Sequence, residues 1–233
     1  MPAPAPAYCR LEAYELFAES VDRLETSQGL LQASVAIAMH EMEEVTPEQV
    51  DAEIQEIADT IRSRVAGQST TALLAHTHDV LFDELGFHGN TSDYYDPDNS
   101  YLPAVMANKA GLPITLCLVY KLVVERLGIE VEGVNAPGHF MARVESAEGP
   151  MLVDAFDKGR VLSWDEACER ASEAVQRSLP YSEDVLPVAT HRQWIGRMLR
   201  NLYAVFLRRS RPDDLGAIVE LGRLLRGGDD LAT

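Results

Sequence analysis

The chain of 233 residues carries 37 acidic against 20 basic side chains, a formal charge of −17, with 46% hydrophobic and 24% charged residues. That length suits one large domain, or one domain with an appendage, and its apolar content is ample for a core. The charge argues against a nucleic-acid partner, whose phosphates it repels. The lack of any run of roughly eighteen apolar residues argues against a membrane span.

The opening MPAPAPAYC, residues 1–9, alternates proline and alanine and reads as a disordered tail. It lacks the basic-then-apolar layout of a secretory signal. Cys9, Cys117 and Cys168 are widely spaced, odd in number and form no C-x-x-C pair. They point to a reducing, cytoplasmic location rather than to a disulfide framework or a zinc site.

Residues 10–90 read as an N-terminal helical region. In 10–26, Leu11, Tyr14, Phe17, Ala18, Val21 and Leu24 recur at helical spacing. SQGLLQASVAIAMHEME follows as a helix buried on most faces. The next helix starts with Thr46 as cap, Pro47 in the first turn and Gln49 three residues after the cap, and it stops near Gly67. STTALLAHTHDVLFDELGF is a fourth helix. His76 and His78 are two apart on it and diverge, so they do not form a metal pair.

A core is predicted over 91–178. It begins in a loop, residues 88–100, rich in turn formers. A short helix follows, then an apolar helix over 112–128 with Pro113 at its start and Gly128 at its stop. IEVEGVN alternates as a strand, and residues 135–156 read as a β-hairpin. A helix over 164–178 follows. Residues 179–233 hold a proline-bounded connector and a helical pair, 191–226, with the look of a single helix-turn-helix repeat. Charge is uneven along this order: residues 1–100 hold 4 basic and 19 acidic side chains, whereas 192–226 hold 8 arginines and 3 acids. Two readings stay open, solvated helix faces of opposite sign or an arginine-rich end that docks on an acidic surface of this or another protein. The predicted class is α+β: a mostly helical protein with a small antiparallel sheet packed on an apolar helix.

With the hairpin loop centred near residue 147, position 139 falls opposite about 154 to 156. His139 and Asp154 are then neighbours on one face, with opposed Cβ atoms roughly 4.5–5.5 Å apart. An aspartate there can accept the Nδ1–H bond of the ring, fix its tautomer and leave Nε2 for a nucleophile; equally, the pair can be a bond that locks the hairpin. The nucleophile belongs at the start of the apolar helix, where free N–H groups stabilise a thiolate or oxyanion. Thr115 lies in the first turn and Cys117 two residues on, about 200° apart around the helix. A first-turn hydroxyl can also simply satisfy a backbone N–H, and Cys117 can be a buried apolar side chain.

NSYLPAVMANKAGLPITLCLVYKLVVERLGIEVEGVNAPGHFMARVE, then VDAFDKGRVLS, with LFDELGFHGNTSDYYDPDNSYL upstream, resembles the SirB-type branch of the transglutaminase-like superfamily. The resemblance spans roughly residues 15–165, and its carriers are G-x-P-I-[ST]-L and P-G-H-F at this spacing. It implies a papain-like α+β core with a Cys, His and Asp triad, in which His139 and Asp154 take the last two places. The cysteine's place falls at or beside Thr115, where this branch commonly has Ser or Thr. Asn99, Ser100 and Tyr101 match polar residues that the branch keeps, as site-lining side chains or, for Asn99, as a cap of the following helix. After Asp154 the chain reads D-A-F-D-K-G where the branch favours D-P-F-N-G-G.

The resemblance and the missing thiol together imply a cytosolic module that has lost thiol catalysis and binds a protein or peptide in the old cleft. The alternative is an acyl-transfer enzyme, a cysteine-protease-like hydrolase or transamidase, with Thr115 or Cys117 as nucleophile, His139 as base and Asp154 as orienter. A third is a regulator acting through its acidic N-terminal half. No glycine-rich phosphate loop or ligand cluster is present, so no cofactor or metal is expected. Oligomeric state is left open.

Overall fold

The computed structural model describes residues 5–67, 69–146, 149–180 and 182–226. Four helices come first: α1 (Leu11–Val21), α2 (Ser27–Met39), α3 (Pro47–Ser63) and α4 (Thr70–His78), which runs on into a wide π-helical turn, Asp79–Glu84. The α3 start is as predicted. The Thr46 hydroxyl accepts from the Gln49 N–H, and the Gln49 side chain accepts from the Thr46 N–H. His76 and His78 do diverge: His76 faces Asp79, while His78 bonds the Tyr120 hydroxyl at 3.1 Å.

Next come β1 (His88–Gly89), a 3₁₀ turn (Pro97–Ser100), α5 (Leu102–Asn108), β2 (Ala110–Gly111) and α6 (Pro113–Arg126). The sheet elements are β3 (Val131–Val134), β4 (Met141–Ser146), β5 (Gly149–Asp154) and β6 (Arg160–Leu162). Then α7 (Trp164–Ala174), β7 (Val188–Ala189), α8 (His191–Arg208) and α9 (Pro212–Arg226) follow. Among the described residues the main sheet is five-stranded and antiparallel, in the order β6-β5-β4-β3-β7, while β1 and β2 form a separate parallel pair. The edge strands β6 and β7 add to the predicted sheet. They are three and two residues long, too short to carry a periodic pattern.

Helix α6 is apolar on all faces, and every residue from Pro113 to Val124 is buried. One side of the sheet covers it through Phe140, Ala142, Val144 and Val153. The same core continues through α2 to Trp194 of α8 and Leu221 of α9. Helix α7 covers the other side of the sheet, placing Ala167, Cys168 and Ala171 against Met141, Leu152 and Leu162. One charged side chain interrupts this buried stretch: Lys121 is buried, and its ammonium donates to the Val131 carbonyl at 2.6 Å and to Glu125 at 2.5 Å. A buried ammonium is tolerated only when paired and hydrogen-bonded in this way.

The inner end of the expected tail is docked. The Glu220 carboxylate of α9 accepts from the N–H groups of Ala7 at 2.7 Å, Tyr8 at 3.2 Å and Cys9 at 2.8 Å. The Tyr8 ring lies on α9 at Gly216, where an added Cβ would stand 2.5 Å from it.

Candidate functional site

His139 ends the turn that leads into β4. Its N–H donates to the Ala136 carbonyl at 3.2 Å. Gly138 before it has φ +69°, and a Cβ there would stand 2.9 Å from that of Ala174. Both the left-handed backbone and the close approach of α7 require glycine. Arg197 of α8 holds the same turn from the other side. It donates to Asn135 Oδ1 and, at 3.0 Å, to the Ala136 carbonyl, with its guanidinium over the Phe140 ring at 5.5 Å.

Asp154 closes β5 and is fully buried. Its Oδ2 meets His139 Nε2 at 2.9 Å, with Arg170 Nε of α7 at 3.8 Å. Its Oδ1 accepts from the N–H groups of Phe156 at 3.1 Å and Asp157 at 3.3 Å, capping the short turn after β5. Burial pushes this carboxyl up, but the bond and charge of His139, the charge of Arg170 and the Asp157 N–H outweigh it. The net effect holds Asp154 below the ordinary carboxylate range.

The predicted pair is therefore present, but through the other ring nitrogen. Ala142 pairs with Val153. Extending that register puts His139 opposite Phe156 and Asp154 opposite Met141, so the histidine and the acid are diagonal neighbours. Diagonal positions are farther apart than directly opposed ones. The outer nitrogen, Nε2, spans that gap, so the acid holds Nε2 rather than Nδ1.

Cys117 comes to the backbone beside this pair. Its thiol donates to the Phe140 carbonyl at 3.5 Å, and it feels the Ala155 N–H and the charge of Asp154. Complete burial, then Asp154, push it well above the ordinary thiol range, against the smaller opposing pull of the Ala155 N–H and Arg197. It is a thiol, not a thiolate. Thr115 is also fully buried, and its hydroxyl has no hydrogen-bond partner among the described residues. No hydroxyl or thiol among the described residues bonds the His139 ring.

The three polar residues before α5 divide. Asn99 ties the 88–100 loop: its amide donates to the carbonyls of Asp93 at 2.7 Å and Tyr94 at 3.2 Å and accepts from Asn90 at 2.9 Å. Its own carbonyl receives the Leu112 N–H at the start of α6. Ser100 is buried with an unpartnered hydroxyl among the described residues. Tyr101 points to the turn after α2, where its hydroxyl donates to Glu41 at 2.5 Å. Burial and Glu41 raise it far above the usual phenol range.

Five further residues surround the pair. Phe156 stands edge-on to His139 at 6.2 Å, and Tyr94 to Phe156 at 6.3 Å, forming an aromatic rim that reaches the surface at Tyr94 and Tyr95, 42% and 44% exposed. Arg170 bonds Asp157 at 2.8 Å behind Asp154, and Arg197 anchors the histidine turn. The DYYD stretch was legible only as loop. Nothing in spacing sets Arg197 apart from its neighbouring arginines.

A family model described as transglutaminase-like superfamily matches residues 48–200. A UPF0162 protein of Xylella fastidiosa is 35% identical over 188 residues, covering 79% of this chain and 67% of the relative. A UPF0162 protein of Pseudomonas aeruginosa is 26% identical over 83% of this chain and 72% of its own length. F-box only protein 21 of Mus musculus is 42% identical over 98 residues, which cover 39% of this chain and 16% of that protein. No solved structure matches. The apolar helix, the histidine turn and the aspartate that ends β5 all lie inside the matched span, and the chain belongs to the transglutaminase-like superfamily.

Proposed function

We propose that this chain is a transglutaminase-like module without thiol catalysis that binds a protein or peptide segment at the crevice beside His139. The observation that carries this reading is the imidazole itself, bonded to Asp154 but to no thiol or hydroxyl among the described residues. The nearby thiol, Cys117, is buried and spends its proton on a backbone carbonyl. The surface on offer near His139 is aromatic: Tyr94, Tyr95 and Phe156 form a rim, and aromatic side chains carry much of the energy of protein recognition. Three free, buried cysteines suit a reducing compartment such as the cytoplasm. The α8–α9 hairpin is the part that would serve as a helical interaction repeat.

The acyl-transfer reading rests on one observation, the oriented ring with Nδ1 to spare. Mapping iodoacetamide modification of the native protein at neutral pH separates the two. Here Cys117 is expected to label only on unfolding, with no change in His139→Ala. Rapid selective labelling of Cys117 that vanishes in His139→Ala would establish a thiol enzyme instead. An acyl-fluoride adduct that disappears in Thr115→Val would do the same for the hydroxyl.

A further inference from the structure

We infer that the groove between α8 and α9 is a docking site for an acidic, amphipathic segment of a partner protein. This site lies beyond the His139 crevice and does not depend on whether that crevice is catalytic. The groove encloses about 1180 Å³ and runs along both helices to Asn135, at the start of the histidine turn. Small-molecule pockets hold roughly 300–1,000 Å³, so a peptide fits this one better than a metabolite.

Its walls carry an unbalanced charge. Arg192, Arg200 and Arg223 line it, and none has a carboxylate within ion-pair distance among the described residues. In the same C-terminal pair, Arg209 is matched with Asp93, and Arg211 with Glu41 and Asp214. The last acid of α9, Glu220, is held by the N-terminal arm. A chain with a charge of −17 thus concentrates unmatched cations in one place. Between them the floor is apolar, made by Leu199, Ile218 and Leu225, with Tyr203 42% exposed at the side. Arginine and tyrosine over an apolar floor are the side chains that dominate recognition surfaces, and an amphipathic helix laid in a groove matches this layout. The charge selects an acidic occupant and repels a basic one.

The test uses the full chain and a fluorescent, end-blocked helical peptide of leucine and glutamate, read by anisotropy. Binding is expected to weaken with added salt. It is expected to fall roughly tenfold or more in Arg200→Glu/Arg223→Glu, whose positions are exposed. Gly196→Leu leaves the charge intact but fills the groove: a Cβ there meets Leu225 at an ordinary 3.5 Å, and the added atoms extend into the space. It is expected to give a similar loss, whereas Arg23→Glu, outside the groove, leaves binding unchanged. Equal affinity in the groove variants, or equal binding of a lysine version of the peptide, would overturn the proposal. So would a self-association lost in the same variants, which would make the occupant a second copy. Binding that appears only after deletion of residues 227–233 would assign the groove to the chain's own end and overturn it as well.

Discussion

The end of the β4–β5 hairpin and the open side of the α8–α9 pair treat charge in opposite ways. At the hairpin end Asp154 is sealed from water, with one oxygen given to His139 and the other to two backbone N–H groups. In the α8–α9 groove Arg192, Arg200 and Arg223 are exposed and lack acidic partners among the described residues. A saturated buried charge holds a structure together, since removing any partner strands another. An unmatched exposed charge costs the fold little and stays available to a visitor. The hairpin end is thus a closed site whose charges are all answered, and the open side of α8–α9 carries charge that is not.

The sharpest way to break that contrast is Asp154→Ala. It strips the ring, Arg170 and the following turn of their acceptor at once, and is expected to cost about 3–5 kcal/mol in urea unfolding. Exposed groove arginines are expected to cost under about 0.5 kcal/mol each. Acid sharpens the same point. Asp154 is held below its unfolded value, so its contribution is complete above roughly pH 4 and is lost as pH falls through the folded value. Unfolding free energy is expected to drop on acidification below that point, with a shallower slope in Asp154→Asn. Gly138→Ala comes next. It meets both a left-handed backbone and the Ala174 methyl, and about 1–3 kcal/mol is expected from thermal melts, with a shifted His139 imidazole resonance. The smallest change is Lys158→Gly, which relieves a left-handed lysine at φ +51° after Asp154. The strain relieved is partly offset by the freer unfolded chain, so a gain below about 1 kcal/mol is expected.

Much of this fold was legible because its signals are local. Thr46 with Gln49, Pro113 and Gly128 each mark an element end by chemistry that acts within one turn. The hairpin register followed from alternation, and with it the meeting of His139 and Asp154. What stayed hidden depends on distant parts of the chain. The choice of ring nitrogen turns on a diagonal gap that only coordinates resolve. Lys121 is buried because Val131 and Glu125 wait for it. Arg197 enters the site because α8 crosses the histidine turn some sixty residues after it in sequence. Tyr101 matched a site motif, yet it spends its hydroxyl on Glu41, in the turn after α2.

The cradle around Glu220 bears on how the molecule comes apart. A last helix ordinarily frays, exchanging its amide protons far faster than the interior does. Here three main-chain N–H groups near the start of the chain close on a carboxylate near its finish, with the Tyr8 ring wedged on Gly216. Residues 7–9 and α9 are thereby tied to each other. The amides around Glu220 should therefore keep pace with the interior in deuterium exchange, and Glu220→Ala should loosen both extremities together.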